Sequence, residues 1–219
     1  MCAQFMIEVV TDCFANQYKV GIPAEISHLK GRFLPHGLAP VIVREGEKRV
    51  LKPMRFSLLP SWSKEKRVQF ATHNARIETV LEKPTWKTPF LSKRCLVPMT
   101  GFIESIYKNE YAGNRVCFSS QDSRLLTAAG IWDLWLDPVN EEVIESFAIL
   151  TQAPLPFVSN IGHDRSPIFL QESAFDDWLT QGQQPSTKLM DILKTKQEEF
   201  NFKVEVDRPL KAGWEKRIH

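Results

Sequence analysis

Short apolar runs rich in β-branched and aromatic residues recur along this chain of 219 residues, separated by Gly, Pro, Asn or Asp. Runs of that length and composition predict β-strands. We therefore place strands at 39–43, 54–62, 94–98, 101–107, 116–120, 125–135, 145–152, 166–170 and 202–206.

Three other segments have the mixed apolar and polar pattern of short helices. They cover 74–83, 173–180 and 186–200, and Ser173 and Ser186 suit the N-caps of the last two. The stretch "QGQQP" that follows Thr180 is a turn, too short for a domain linker. Because strands outnumber helices and do not alternate with them, the pattern predicts one α+β domain over residues 1–219, with a large, mostly antiparallel sheet.

The composition is that of an ordinary globular protein, with 43% apolar and 25% charged residues. No stretch approaches the roughly 20 apolar residues of a membrane span. Glu8 and Asp12 occupy the region where a secretory signal would be basic and then apolar. The cysteines have neither C-x-x-C spacing nor a dense disulfide pattern; they are Cys2, Cys13, Cys95 and Cys117. These features predict a cytoplasmic protein with free thiols.

Metal and nucleotide chemistry find no support in the sequence. Cysteine and histidine pairs with the spacing of zinc ligands are absent. A glycine-rich phosphate loop is absent as well. We therefore expect neither a metal nor a cofactor.

Positive charge is concentrated in one part of the chain, although the net charge is only +2. Residues 30–76 contain eleven Lys or Arg and three Glu, which gives +8, and the remaining 17 basic and 23 acidic residues give −6. Such clustering indicates a polyanion binder, but a solvated surface explains the charge alone equally well. Four aromatic residues lie among these charges, either for stacking on single-stranded bases or as core side chains: Phe33, Phe56, Trp62 and Phe70.

Two stretches place polar side chains beside predicted strands. In "THNARIET", Asn74 and Arg76 lie at a predicted strand-to-helix junction, where Asn74 also suits a plain N-cap. In "VPMTGFIES", Glu104 ends an otherwise apolar strand. A half-buried carboxyl there suits acid–base chemistry, and the structural alternative is a charge on an edge strand.

A third stretch, "NIGHDRSPIFL", combines His163, Asp164 and Arg165 just before a predicted strand. Strand-like alternation would point His163 and Arg165 to one face and Asp164 to the other. Histidine is the side chain most suited to proton transfer at neutral pH. An ordinary surface turn is the structural alternative.

Cys2 has a chemical option that no other cysteine of the chain has. If Met1 is removed, the thiol and a free α-amine of Cys2 form a 1,2-aminothiol. The alternative is an apolar residue near the chain end, with the usual tendency of cysteine to be buried.

Together these stretches resemble the SRAP family, the SOS-response-associated peptidase or abasic-site processing proteins, over nearly the full length. The matching motifs keep the family's order and spacing: Met-Cys with Phe5, "GRF" at 31–33 before a Pro-Val strand, "RFSLLPSW" at 55–62, "NARIET" at 74–79, "CLVPMTGFIE" at 95–104, "AGIWDLW" at 129–135 and "HDRSPIFL" at 163–170. The resemblance implies a curved, barrel-like β-structure with flanking helices. It also implies a DNA damage response protein that attaches covalently to abasic sites in single-stranded DNA through residue 2.

The chemistry of Cys2 agrees with that implication. An opened abasic deoxyribose presents an aldehyde, which an α-amine converts to an imine and a thiolate then closes into a thiazolidine ring. An α-amine has an ordinary pKa of about 7.7–8.0 and is partly unprotonated at neutral pH, whereas a lysine amine, at about 10.4, is almost wholly protonated. Two bonds to one carbon would make the adduct outlast a Schiff base.

The resemblance implies a catalytic role for four residues. Cys2 would be the nucleophile after Met1 removal, and Glu104 would transfer protons during Met1 excision, imine formation and ring closure. His163 would protonate the sugar ring oxygen as the ring opens. Asn74 would hold the amino terminus or the sugar by hydrogen bonds.

The resemblance also implies DNA contacts. Arg76 and Arg165 would bind the phosphates that flank the abasic site. Trp62 would stack on a neighbouring base or wedge against it. The basic segment, including Arg32 and Arg55, would follow the strand with salt-sensitive affinity.

Three stretches differ from the usual family pattern, although all four catalytic positions are retained. The family usually begins Cys-Gly-Arg-Phe, whereas this chain has "CAQF" at 2–5. A loop that usually reads Tyr-Asn-x-Ala-Pro is "FLPHG" at 33–37. Ile103 and Ser105 replace an aromatic residue and a tryptophan beside Glu104.

Two other functions use the same residues and stay open on the sequence alone. A cysteine peptidase or N-terminal-nucleophile hydrolase would use Cys2, His163 and Asn74 on peptides in trans. A non-covalent single-strand binder would need only the basic and aromatic segment. Our leading hypothesis is an enzyme with self-processing peptidase and abasic-site crosslinking activity, with lyase activity as an addition. We expect a monomer in the cytoplasm, on the nucleoid when bound to DNA.

Overall fold

β-Strands dominate residues 3–8, 12–137 and 139–217, the parts of the chain that the computed structural model describes. In chain order they are β1 (Gln4–Ile7), β2 (Gly31–Phe33), β3 (Leu38–Glu45), β4 (Lys48–Phe56), β5 (Asn74–Arg76), β6 (Arg94–Met99), β7 (Gly101–Ile106), β8 (Asn114–Ser120), β9 (Leu126–Leu136), β10 (Val143–Gln152), β11 (Ser166–Pro167) and β12 (Phe202–Pro209).

The strands form two sheets. A five-stranded sheet has the order β12-β8-β7-β1-β2, and all of its neighbouring strands are antiparallel. A seven-stranded sheet has the order β11-β10-β4-β3-β6-β9, and β5 pairs with β10. In this second sheet β10 is parallel to β4 and to β5, and the other pairs are antiparallel.

Helices cover one side of the seven-stranded sheet and connect the strands. The α-helices are α1 (Asp12–Tyr18), α2 (Pro84–Ser92), α3 (Pro156–Ile161), α4 (Phe175–Trp178) and α5 (Ser186–Thr195), and short 3-10 helices lie at Ile77–Thr79, Glu172–Ala174 and Trp214–Arg217. None of the described helices has the length and apolar character that a membrane span needs.

The seven-stranded sheet is buried on both faces. Its inner face packs against the five-stranded sheet, and its outer face packs against helices α1, α2, α4 and α5. Along β3, Val41 and Val43 belong to the inner core, whereas Ile42 belongs to the outer core. A strand buried on both faces needs apolar residues at consecutive positions, which explains unbroken runs such as "APVIV".

The predicted fold class is confirmed: an α+β structure with large, mostly antiparallel, barrel-like β-structure and flanking helices. The predicted helix over 74–83 is wrong, because 74–76 pair with β10 and only one 3-10 turn follows. The predicted strand over 54–62 ends at Phe56. Ser173 and Ser186 are not N-caps, since Gln171 and Pro185 occupy those positions.

Acidic side chains from elsewhere in the chain neutralise much of the basic segment 30–76. These ion pairs are Arg32–Asp207, Arg44–Asp176, Arg49–Asp176, Lys52–Glu145 and Lys66–Glu142. Within the described residues, the basic side chains of the segment that have no acidic partner are Lys30, Lys48, Arg55, Lys64, Arg67 and Arg76. Of its aromatic residues, Phe33 and Phe56 are core side chains, whereas Trp62 and Phe70 are about half exposed.

Backbone strain is present where β4 ends. Ser57 has a φ of +111°, a region that favours glycine, and its side chain is buried. Its Oγ has no hydrogen-bond partner among the described residues. The strained geometry is held by main-chain hydrogen bonds from the Ser57 N–H to the Phe147 carbonyl and from the Leu58 N–H to the Thr72 carbonyl, at 3.0 and 3.1 Å.

Replacing Ser57 by glycine should stabilise the protein. Ser57→Gly removes both the strained φ and the buried hydroxyl, and we expect a gain of about 1 kcal/mol. For a domain of this size that corresponds to a melting temperature higher by about 2–4 °C. Ser57→Ala is the matched control, since it removes only the hydroxyl. A thermal melt in which the glycine variant is no more stable than the alanine variant would contradict the assignment of strain.

Candidate active site

Glu104 lies on the inner face of β7, in the same row as the core side chains Phe102 and Ile106. The residue is only 4% exposed, so it is not the edge-strand charge that was one interpretation of its sequence position. A carboxyl group in such a place has lost its hydration and needs partners from the protein. One of these partners is His163, whose Nε2 lies 3.2 Å from Oε2 of Glu104.

The end of α3 sets the position of His163. The helix is capped by Gly162, which has a φ of +111° and donates its N–H to the carbonyls of Val158 and Ser159. A Cβ at Gly162 would lie 2.6 Å from the carbonyl oxygen of Lys108, so no other residue fits without a backbone shift. His163 itself is 9% exposed, and its N–H donates to the Val158 carbonyl at 3.2 Å.

His163 contacts the main chain on one side of its ring and Glu104 on the other. Nδ1 lies 2.9 Å from the carbonyl oxygen of Arg165 and 3.3 Å from the Arg165 nitrogen, so it donates or accepts there according to the tautomer. Nε2 lies 3.2 Å from Oε2 of Glu104. An imidazole and a carboxyl group in contact can pass a proton between them, here at a largely buried position.

Strand β5 brings Asn74 to the same inner face. Asn74 pairs in parallel register with Ile149 of β10, whose side chain belongs to the inner core. Asn74 is a buried strand residue, and the N-cap interpretation of its sequence is wrong. Its neighbour His73 is half-buried, burial lowers the His73 pKa, and the Glu104 carboxylate opposes that shift.

The two predicted phosphate-binding arginines differ in their surroundings. Arg76 is exposed, two residues after Asn74 and therefore on the same side of β5. Arg165 is mostly buried and forms a two-fold hydrogen bond with the carboxylate of Glu78, at 2.7 and 2.9 Å. Arg165 also donates to the Thr151 carbonyl at 2.8 Å, and it lowers the pKa of Glu78 by hydrogen bonding. A phosphate that binds Arg165 would therefore share it with Glu78.

The remaining predicted DNA contacts are spread over the surface. Trp62 is 54% exposed in the irregular segment 57–73. Arg55 donates to Nδ1 of His36 at 2.9 Å. Arg32 is offset by one residue from Phe33, which faces the inner core, so Arg32 points to the outer face of its sheet. There its guanidinium pairs with Asp207, away from Glu104.

The predicted nucleophile Cys2, together with Met1, lies outside the described residues. Gln4 begins β1 and pairs with Ile103, the neighbour of Glu104 in β7. The strand that follows Cys2 therefore starts beside the Glu104–His163 pair. The structure also adds His36, His73, Glu78 and Thr151, which sequence reasoning did not select. His73 and Glu78 lie in the stretch "THNARIET" and His36 in "FLPHG", whereas Thr151 had no such signal.

Comparison with known proteins adds a family match. Residues 1–209 match the family model described as SOS response associated peptidase (SRAP). The chain is 27% identical over 181 residues to the abasic site processing protein YoqW of Bacillus subtilis (strain 168). This alignment covers 82% of this chain and 80% of that protein. The chain is 32% identical over 173 residues to the abasic site processing protein HMCES of Gallus gallus, covering 68% of this chain and 51% of the chicken protein.

Solved structures share the fold. A crystal structure from Bacteroides thetaiotaomicron aligns with a TM-score of 0.77 and 23% identity, covering 94% of this chain and 92% of the other. One from Bordetella bronchiseptica aligns with a TM-score of 0.79 and 19% identity, covering 94% and 100%. At these identities the likeness concerns the fold alone.

Gly162→Ala tests how the site is built. We expect it to cost about 2–3 kcal/mol in the free energy of unfolding, because it adds both a backbone clash and a strained φ. Gly46→Ala is the control, since Gly46 has a φ of +58° but open space around its Cβ position, and should cost only about 1 kcal/mol. Urea denaturation measures both. Equal losses would contradict the close packing of Gly162 against Lys108.

Proposed function

Because the chain belongs to the SOS response associated peptidase (SRAP) family, we propose that it processes abasic sites in DNA by capturing them covalently in single strands. The nucleophile would be Cys2, exposed as the new amino terminus when Met1 is removed. The observation that carries this proposal is the buried Glu104–His163 pair, which lies where strand β1 begins.

The short length of chain between Cys2 and the strand beside the Glu104–His163 pair supports the assignment of Cys2 as the nucleophile. Two residues of extended chain span at most about 7 Å, so Cys2 is tethered close to Gln4. Gln4 is in register with Ile103, the residue before Glu104. A proton donor and acceptor pair is thus available within reach of an amino-terminal aminothiol.

The other thiols described with their side chains are poor candidates. Cys95 is fully buried, and burial raises its pKa far above neutrality. Burial, with the charges of Asp207 and Glu205, raises the pKa of Cys117 to about 11. Since the thiolate is the nucleophile, both groups are unreactive at neutral pH.

The proposed reaction follows from these positions. Protonation of the sugar ring oxygen by the Glu104–His163 pair opens the hemiacetal to the aldehyde. The α-amine of Cys2 adds to the carbonyl carbon and loses water to give an imine. The Cys2 sulfur then adds to the imine carbon, its proton passes to the nitrogen, and the thiazolidine ring closes. One water is released in total, and Glu104 carries the protons between steps.

DNA binding would use the exposed groups around this site. Arg76 lies on the same side of β5 as Asn74 and would bind a flanking phosphate. Arg165 would bind another, and that phosphate would compete with the Glu78 carboxylate for its guanidinium. Trp62 would stack on a base. Asn74 would hold the amino terminus or the sugar. Removal of Met1 by the same pair would be a self-processing peptidase reaction, and strand cleavage after capture would be a lyase reaction.

A single gel tests the capture. Purified protein is incubated with a single-stranded oligonucleotide that carries one abasic site, then denatured and heated. We expect a shifted, heat-stable band for the wild type and for Cys117→Ser, and none for Cys2→Ser. Intact mass must show that Met1 is absent from the reactive fraction.

Several outcomes would contradict the proposal. A wild type that lacks Met1 yet gives no band would exclude capture. A band that persists in Cys2→Ser would place the attachment elsewhere. DNA binding by a wild type that lacks Met1 and forms no covalent product, with the same affinity in Cys2→Ala, would favour the non-covalent binder. Turnover of peptides in trans, without any DNA adduct, would favour the cysteine peptidase.

Glu104→Gln tests the proton-transfer role. A glutamine keeps the size of the side chain but cannot carry a proton, so we expect crosslinking to slow by about 10²–10⁴-fold. Each protein is produced as a fusion that a site-specific protease cleaves directly before Cys2, which separates crosslinking from Met1 removal. The control is Glu110→Gln on the exposed surface. A wild-type crosslinking rate in Glu104→Gln would remove the assigned role.

A further inference from the structure

A second basic site lies next to the candidate active site. A cleft of about 610 Å³ is lined by β4, the segment 57–73 and the first residues of β10. Four of its lining residues carry basic side chains, namely His36, Arg55, Lys66 and Arg67. Glu145 is the one carboxylate among its described lining residues, and it is bound by Lys52 at 2.8 Å.

Within the part of the chain that the structure describes, three of the four basic groups have no carboxylate partner. Lys66 is paired with Glu142 at 2.6 Å. Arg67 has no acidic partner within the described residues, and Arg55 donates only to Nδ1 of His36 at 2.9 Å and to the Lys66 carbonyl at 3.3 Å. His36 accepts this hydrogen bond at Nδ1, which leaves its Nε2 as a donor.

The basic groups repel one another. Burial lowers the pKa of His36, and the positive charges of Arg55 and Arg67 lower it further. Burial and the charge of Arg67 also lower the pKa of Arg55. Such crowding is unfavourable in the empty cleft and is relieved when an anion binds among the three groups.

The backbone holds His36 in place at a cost. His36 has a φ of +73°, which is uncommon for a residue other than glycine. Its N–H donates to the Phe56 carbonyl, and the Phe56 N–H donates to the Gly37 carbonyl at 2.8 Å. Strained residues fixed in this way are concentrated at binding sites.

The cleft is adjacent to the candidate active site. His36 donates its N–H to the carbonyl of Phe56, and the ring centroid of Phe56 lies 6.0 Å from that of His73, the neighbour of Asn74. The charge of His36 also contributes to the lowered pKa of His73. Leu38 and Val143 are more than half exposed at the cleft and offer apolar surface for a sugar or a base. A strand that reaches Asn74 could therefore place its backbone in the cleft.

We propose that this cleft binds a backbone phosphate of the DNA strand near the abasic nucleotide, with His36, Arg55 and Arg67 as its ligands. The inference rests on the proposed function, because the strand is its substrate. As the phosphate binds, the Arg55 guanidinium leaves Nδ1 of His36 for the phosphate and Nδ1 takes up a proton, so binding is tighter at lower pH. The charged groups that face His36 are Arg55, Lys66, Arg67, Glu145 and, on the side of the active site, His73.

The first test is equilibrium binding of an undamaged, fluorescent single-stranded oligonucleotide, measured by anisotropy over a range of salt. Arg67→Gln should weaken binding and lower the slope of log affinity against log salt by about 0.7, the value of one phosphate contact. Lys48→Gln also removes one positive charge, but at the other end of the β3–β4 hairpin, about 23 Å along β4 from Arg55, and should change neither. Equal effects in the two variants would overturn the proposal.

The second test locates the phosphate. Oligonucleotides with a single neutral methylphosphonate linkage are scanned through the strand. One linkage should weaken binding to the wild type and have no further effect on Arg67→Gln. If every methylphosphonate linkage weakens the binding of Arg67→Gln as much as that of the wild type, the proposal is overturned. It is also overturned if Arg67→Gln weakens the binding of inorganic phosphate but not the binding of DNA.

The third test concerns His36. His36→Asn keeps a residue that tolerates positive φ but removes the titrating ring. The wild type should bind more tightly at pH 6 than at pH 8, and this gain should be smaller in His36→Asn. An identical gain would overturn the role of His36.

Undamaged DNA cannot form the adduct, so these measurements are independent of the capture chemistry. Capture that fails while the Arg67 effect persists would refute the proposed function and leave the phosphate site standing. Capture that succeeds with no Arg67 effect would refute the site alone.

Discussion

The contact between the Glu104 carboxyl and the His163 imidazole is the interaction on which the rest of the site depends. Both groups are buried, and a buried polar group needs partners within the protein. Each side chain therefore helps to stabilise the other in its place. A carboxyl group and an imidazole in contact can exchange a proton, and the chemistry we propose for Cys2 needs a proton to be delivered and removed several times.

The architecture brings residues of separate elements to one interior surface. Glu104 comes from the five-stranded sheet, Asn74 comes from β5 beside the seven-stranded sheet, and His163 follows a helix that Gly162 ends sharply. Glu104 and His163 are in contact, and Asn74 faces the same interior between the two sheets. Strand β1, which follows Cys2, pairs with β7 at the same place.

Much of the fold could be predicted from the sequence, because short apolar runs separated by Gly, Pro, Asn or Asp define β3, β6, β7, β9 and β10. The segment 74–83 could not, since its amphipathic pattern competes with a pairing to β10 about 75 residues away. The basic segment likewise suggested a continuous charged surface. Asp176 and Asp207 neutralise parts of it from distant positions, which no local pattern reveals.

The candidate residues were selected as a set by family resemblance, but their surroundings could not be predicted from the sequence. Nothing in the local sequence indicates that Glu78 holds Arg165, or that Arg55 contacts His36. Both contacts depend on the packing of separate elements. They change the expected division of DNA contacts, with Arg76 exposed at the site and Arg55 part of a second basic cleft.

In the proposed adduct both the nitrogen and the sulfur of Cys2 bond to the same sugar carbon. Mass spectrometry of the digested, alkylated adduct distinguishes this ring from attachment through one atom. We expect a peptide that begins at Cys2, carries the sugar with the loss of one water, and resists alkylation at its sulfur. An adduct on a lysine, or on a Cys2 whose thiol is still alkylated, would rule out the thiazolidine.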